Sequence, residues 1–135
     1  MKENPYRQDR EELKELLQQY NNFKNGKKFT FIEEDAFERI MDYFDESDNI
    51  PAAVEAANFA AEQFPYSASL LIKKADLLIA TRSYREALAI LEKAELLDST
   101  DINLYILKTD AHFALYNNQK AADILEKAIH VFDGE

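Results

Sequence analysis

The chain has 135 residues, enough for one domain with one core. Its 26 acidic and 16 basic side chains leave a net charge of −10. That balance argues against nucleic acid or an anionic membrane as the main partner, since phosphate binding rests on clustered Lys and Arg. With no Cys, 2 Gly, 3 Pro and 2 His, the chain offers no disulfide, thiol nucleophile, Cys-bound zinc or Gly-rich phosphate loop, and little for a metal site.

The first ten residues are polar and no apolar stretch follows, so no secretory signal is read and a cytoplasmic location is expected. No run approaches the roughly 18 apolar residues that a bilayer span requires. Leu13, Leu16, Leu17, Tyr20 and Phe23 recur at three- and four-residue steps, which predicts an amphipathic helix over Arg7–Phe23. Asn25 and Gly26 end it, because both tolerate positive φ. Residues 1–28 are therefore an N-terminal amphipathic helix and linker. Tyr6, Tyr20, Phe23, Phe29 and Phe31 are its expected packing residues.

Thr30 and Glu33 form a capping-box pattern that opens a second helix. That helix fails at the polar cluster Asp45–Asn49. Pro51 suits the first turn of the next helix, where its missing N–H costs nothing, and Pro65 closes it. Ser83 with Glu86 repeats the capping box. Asp98–Asp101 and Asn117-Asn118 are further breaks, so the helices run about 12–15 residues each. Charge is uneven: residues 29–65 hold 10 acidic side chains and 1 basic one.

Comparison of the chain with itself shows a period of 34 residues. Ala53, Ala87 and Ala121 share one register, and Ala60, Ala94 and Ala128 another. Ile90-Leu91-Glu92-Lys93-Ala94 recurs unchanged as Ile124-Leu125-Glu126-Lys127-Ala128. Phe37, Leu71 and Tyr105 align, as do Phe44, Leu78 and His112. Ile50, Tyr84 and Asn118 fall where each second helix begins. Two small Ala per second helix let paired helices approach closely. One pair cannot bury its faces alone, so pairs stack.

On these marks, together with Ala75, Thr109, Tyr84 and Pro65, residues 33–133 resemble the tetratricopeptide repeat family. Met41 departs from the pattern at a small-residue position, Lys74 and Lys108 where Leu is usual, and Ser99 and Asp133 where Pro is usual. The resemblance implies an all-α, right-handed superhelical solenoid of three helix–turn–helix units, preceded by the extra N-terminal helix. The repeat domain spans 29–135, with units of about 34–67, 68–101 and 102–135. It also implies a non-catalytic scaffold or adaptor, without cofactor, whose first helices line a concave ligand groove.

The residues lining that groove follow from the offset. The first unit presents Asp35, Glu38, Asp42 and Asp45, one acidic stripe on one helix face. The later units present Ser69, Ile72, Asp76 and Ile79, then Asn103, Ile106, Asp110 and Phe113. A like-charge row costs a few tenths of a kcal/mol per pair, so the expected partner is a basic or amphipathic protein or peptide. Its cationic end would sit on the first unit, and Ile72, Ile79, Ile106 and Phe113 would anchor its apolar side. The clamp by which some family members hold a C-terminal carboxylate uses basic and Asn side chains. The groove here has the opposite polarity, which disfavours that kind of ligand.

Two other arrangements are open. Lys14, Lys24, Lys27 and Lys28 place the N-terminal helix on the acidic unit, as a cap or an autoinhibitory plug. Phe59, where the other units carry Lys93 and Lys127, is expected to be covered by that helix or by another chain. The alternative function is structural self-association as a homodimer, through the N-terminal helix or the uncapped last pair (Ile124, Leu125, Ile129, Val131, Phe132). Catalytic and metal residues are not expected. His112 aligns with core positions, His130 suits a helix C-terminus, and Asp45–Asn49 lacks the Gly and closing Glu of a calcium loop.

Overall fold

The structure, a computed structural model, describes residues 5–27 and 30–133. The Tyr6 side chain, Lys28 and Phe29 lie outside the described residues. Seven helices follow in order: α1 (Pro5–Lys24), α2 (Glu34–Glu46), α3 (Ile50–Gln63), α4 (Ala68–Ala80), α5 (Tyr84–Leu97), α6 (Ile102–Ala114) and α7 (Asn118–Phe132). Their starts keep the 34-residue period in both series, α2–α4–α6 and α3–α5–α7. Each first helix pairs with the helix after it, α4 also packs on α3, and α6 on α5. The first helices lie side by side, α2 against α4 and α4 against α6. The molecule is an all-α repeat solenoid, with α1 set against α2.

The turns inside the three units are copies of one another. Asp48, Arg82 and Tyr116 each have φ of 62°. The next residue's N–H reaches back to a carbonyl five positions earlier: Asn49 to Phe44, Ser83 to Leu78 and Asn117 to His112, each at 2.8 Å. This is the Schellman closure, which satisfies helix-end carbonyls and ordinarily uses Gly at the left-handed position. Here three non-Gly residues occupy it, at a cost of about 1–2 kcal/mol each. Tyr116 is 89% exposed, so its side chain contributes little packing. Tyr116→Gly is expected to raise the unfolding free energy by about 0.5–1 kcal/mol, after the greater entropy of Gly in the unfolded chain is subtracted. Urea denaturation measures it.

The helix starts differ from the capping-box reading. Glu33, not Thr30, is the N-cap of α2, and its side chain makes no cap hydrogen bond. Thr30 lies in the extended lead-in, where Ile32 is buried. Ser83 is the N-cap of α5, as expected, but its side chain accepts no cap hydrogen bond either. Caps with side-chain acceptors are Asn49, Ser67 and Asp101.

Ala53, Ala60, Ala87, Ala94 and Ala121 are fully buried, and Phe37, Leu71 and Tyr105 fill the space between pairs. Two core clusters result. One joins α1, α2 and α3 with Leu70 and Leu77 of α4; the other joins α4 and α5 with Leu104 and Tyr105 of α6.

Lys108 departs from the family pattern and is buried. Its side chain is 9% exposed, and its Nζ lies 2.8 Å from Glu92 and 2.7 Å from Glu95 on α5. Lys127 reaches the other Glu95 oxygen at 2.6 Å. Burial works against the charged lysine, but the hydrogen bonds it donates to Glu92 and Glu95 outweigh it and hold Lys108 above its usual pKa. Hydrogen bonds from Lys108 and Lys127 hold Glu95 below the usual carboxylate value. A depressed carboxylate stabilises the fold above its unfolded pKa, so this contribution is lost as pH falls through the range below 4.5. Desolvation offsets much of a buried pair's attraction. Removing the lysine alone nevertheless leaves Glu95, 18% exposed, with Lys127 as its one partner, so Lys108→Met is expected to lower stability at neutral pH by about 1–3 kcal/mol, read from the same urea curves.

Candidate functional site

The stripe residues lie on α2, α4 and α6, and the structure shows how adjacent helices meet. A residue on one first helix faces the residue 31 positions later on the next, one turn short of the repeat period. Ser69 Oγ donates to Glu38 at 2.5 Å and Lys73 Nζ to Asp42 at 2.6 Å, both at this spacing. Ser67, 33 positions after Glu34, also donates to it. Glu38 and Asp42 thus tether α4 to α2. Lys73, which sequence comparison at 34 residues does not single out, neutralises one charge of the stripe.

The same spacing sets Asp45 against Asp76, and Asp76 against Leu107. Neither neighbour is a base. Partial desolvation between the helices raises the Asp76 carboxyl above the usual aspartate value, the charge of Asp45 raises it further, Lys73 lowers it, and Asp110 adds a smaller upward push. Asp42, Asp76 and Asp110 share one register at 34-residue steps. Among the described residues, Asp45, Asp76 and Asp110 take part in no ion pair, and all three are exposed. Asp35 is exposed at the start of α2, and Asn103 at the start of α6. A cleft of about 240 Å³ runs between α4 and α6, lined by Ser69, Ile72, Lys73, Asp76, Asp101, Asn103 and Leu107.

The apolar members of the stripe are not equivalent. Ile106 and Phe113 are about half exposed, at 46% and 50%, and Ile79 is half-buried. Ile72 is only 5% exposed and belongs to the second core cluster. It cannot present the open apolar anchor expected of it, because α4 is flanked on both sides while α6 is not.

The N-terminal helix sits away from the stripe. Phe59 is half-buried, its ring 6.4 Å from Tyr20 and 5.4 Å from Phe23, both edge-to-face. Tyr20 and Phe23 also meet Phe37, at 6.5 and 5.8 Å. Lys24 pairs with Glu55 of α3 at 2.5 Å. Among the described residues no ion pair joins α1 to Asp35, Glu38, Asp42 or Asp45. The plug arrangement is therefore not the one present: α1 covers the aromatic side of the first unit and leaves the groove open. Gln19 Nε2 donates to the Phe31 carbonyl at 2.6 Å, fastening the lead-in strand of chain to α1. Phe31 is 56% exposed, and its ring meets Phe64 edge-to-face at 6.2 Å.

The two histidines lie on different helices, α6 and α7. His112 is half-buried, with Asn117 Nδ2 3.4 Å from its Nδ1. Burial, Lys120 and Lys108 lower its pKa. His130 is exposed in the last turn of α7. Among the described residues there is no His, Asp and Glu cluster able to hold a metal ion, and no helix is long and apolar enough to cross a membrane.

No protein-family model and no curated protein sequence matches the chain. Solved structures do. The Arabidopsis OM64 TPR domain superposes with a TM-score of 0.69 at 16% identity, over 76% of this chain and 84% of that one. The first TPR of Spaghetti (RPAP3), solved with the HSP90 peptide SRMEEVD, gives 0.69 at 15% identity, over 76% and 83%. The TPR2B domain of yeast Sti1, in its pHsp70 complex, gives 0.69 at 24% identity, over 76% and 85%. The fold is that of a tetratricopeptide-repeat domain.

Proposed function

We propose that this chain is a non-catalytic peptide-binding module whose concave face, formed by α2, α4 and α6, takes a basic or amphipathic segment of a partner protein. The observation that carries the reading is the row of Asp45, Asp76 and Asp110, open to solvent and without a basic neighbour in an ion pair. Partial burial raises the Asp76 carboxyl, and the charges of Asp45 and Asp110 raise it further, so the ionised row is penalised in the empty groove. A cationic side chain lying along the row removes that penalty. The exposed Ile106 and Phe113 at the α6 side suit the apolar face of the same ligand. A similar fold solved bound to the HSP90 peptide SRMEEVD supports a peptide as the ligand class.

Calorimetric titration with a short peptide of Lys and Leu, beside the acidic peptide SRMEEVD, tests the reading. The basic peptide is expected to bind, and to bind less tightly as salt rises, since exposed charges are screened over a Debye length of ~10 Å at 0.1 M. The acidic peptide is expected to give no heat. Equal binding of both, or preference for the acidic one, overturns it.

A further inference from the structure

The two seams of the concave face are built differently. At the α2–α4 seam, Glu38 and Asp42 each meet a donor 31 positions on, Ser69 at 2.5 Å and Lys73 at 2.6 Å. The same two register positions on α4 are Ile72 and Asp76, and 31 positions after them stand Asn103 and Leu107. Each pair now sets a polar side chain opposite an apolar one, so neither pair can bond. Among the described residues no side-chain hydrogen bond or ion pair joins α4 to α6. The polar side chains of α6 bond instead to α5, to Ser99, or within their own helix and its turn. The cleft of about 240 Å³ opens at this unlatched seam.

The cleft has the chemistry of a pocket for one long basic side chain. Ile72 and Leu107, buried and half-buried, give it apolar walls on both helices. Asp76 and Asn103 supply oxygen acceptors, again one from each helix, and both are exposed. Two features of the lining would repel a cation, and both are answered within the protein. The Lys73 ammonium is held by Asp42 at 2.6 Å. The positive end of α6 carries Asp101, whose carboxylate accepts from the Asn103 backbone N–H at 2.9 Å. At this volume the cleft falls below the ~300 Å³ at which small-molecule pockets begin, so it suits a side chain and not a helix.

We infer that the α4–α6 cleft is the specificity pocket of the groove and takes a single arginine of the ligand peptide. This rests on the groove reading above and names the side chain that the groove selects. The arginine methylenes lie along Ile72 and Leu107, and the guanidinium is shared between the Asp76 carboxylate and the Asn103 carbonyl oxygen. A guanidinium is planar, more weakly hydrated than an ammonium, and donates to two acceptors in a fixed fork. A half-apolar cleft with acceptors on both walls therefore favours arginine over lysine.

Calorimetry on the full chain tests this with three versions of the Lys–Leu peptide. The first keeps its lysines, the second replaces them all by arginine, and the third by 2,4-diaminobutyrate, whose charge sits on a side chain two methylenes shorter than lysine. The arginine peptide is expected to bind at least fivefold more tightly than the lysine peptide, and the diaminobutyrate peptide at least tenfold more weakly. Asn103→Ala removes one acceptor at an exposed position and is expected to bring the arginine-to-lysine ratio below twofold. Asn103→Phe, which fills the cleft, is expected to weaken the arginine peptide at least tenfold. Asp35→Asn, on α2 away from the cleft, is expected to leave the ratio unchanged. Equal binding of the arginine and lysine peptides, or a preference that survives both Asn103 variants, overturns this inference and leaves the groove reading in place. Failure of all three peptides to bind overturns both.

Discussion

Phe37→Ala is expected to lower the unfolding free energy by about 3–5 kcal/mol, the loss typical of truncating a fully buried aromatic ring. Phe37 is 0% exposed and stands where three elements meet. Its ring contacts Tyr20 and Phe23 of α1 and, at 6.2 Å, Phe64 after α3. Edge-to-face pairs add about 0.5–1.5 kcal/mol each beyond buried area, so the hub loses orientation as well as volume. Its counterpart Leu71 contacts no comparable ring cluster, and Leu71→Ala is expected to cost less, about 2–4 kcal/mol. Proteolysis separates the two. Phe37→Ala is expected to expose α1 to cleavage ahead of the repeats, whereas Leu71→Ala leaves α1 docked. Equal loss at both positions would show that α1 adds nothing to the first unit.

The second large effect concerns binding. Replacing Asp45, Asp76 and Asp110 together by Asn is expected to weaken capture of a basic peptide by about 1–3 kcal/mol, or roughly fivefold to 150-fold in Kd, at a few tenths to about one kcal/mol per partly exposed charge pair. Asn keeps the shape, so the loss reports charge. The same change relieves repulsion in the free protein and is expected to leave its stability equal or slightly higher. The pH dependence has a definite sign. Asp76 is raised, so the folded groove holds its proton more tightly than the unfolded chain does. A bound cation favours the deprotonated form, so affinity falls as pH drops through the raised Asp76 value, beginning above the ordinary 3.8. Stability moves the other way at this site, improving as the proton is taken up, in contrast to Glu95. Titrating affinity against pH for the parent and for Asp76→Asn measures the linkage. A parent curve no steeper than the variant's would remove Asp76 from the site.

The repeat was legible in sequence because it rests on side-chain volume at fixed positions, which Ala53, Ala60 and their counterparts record directly. The helix breaks were legible for a similar reason, since Pro and Asn–Gly act locally. The helix start at Ser83 was legible too, but the one at Thr30 was not. A Ser or Thr three residues before Glu marks a helix start, but which residue becomes the cap depends on where the preceding chain is anchored, and Ile32 and Gln19 anchor it here. The left-handed Arg82 and Tyr116 carry no sequence signal at all, because the repeat geometry imposes their conformation.

The groove shows the same division. An offset of 34 residues finds which side chains share a register, and so finds Asp42, Asp76 and Asp110. It does not find which side chains touch across neighbouring helices, which here are 31 apart. That difference hid the Lys73–Asp42 pair and the Asp45–Asp76 opposition, and it hid the burial of Ile72. With 31 as the contact spacing, both charge relationships can be read from the chain.

The central claim is that the ligand lies on α2, α4 and α6. It is tested most directly by amide chemical-shift mapping of the labelled protein during titration with the basic peptide. The shifts are expected to concentrate around Asp45, Asp76, Asp110 and Phe113, to saturate with one binding constant, and to vanish in the triple Asn variant. Shifts confined to α5 and α7, or persisting unchanged in that variant, would contradict it.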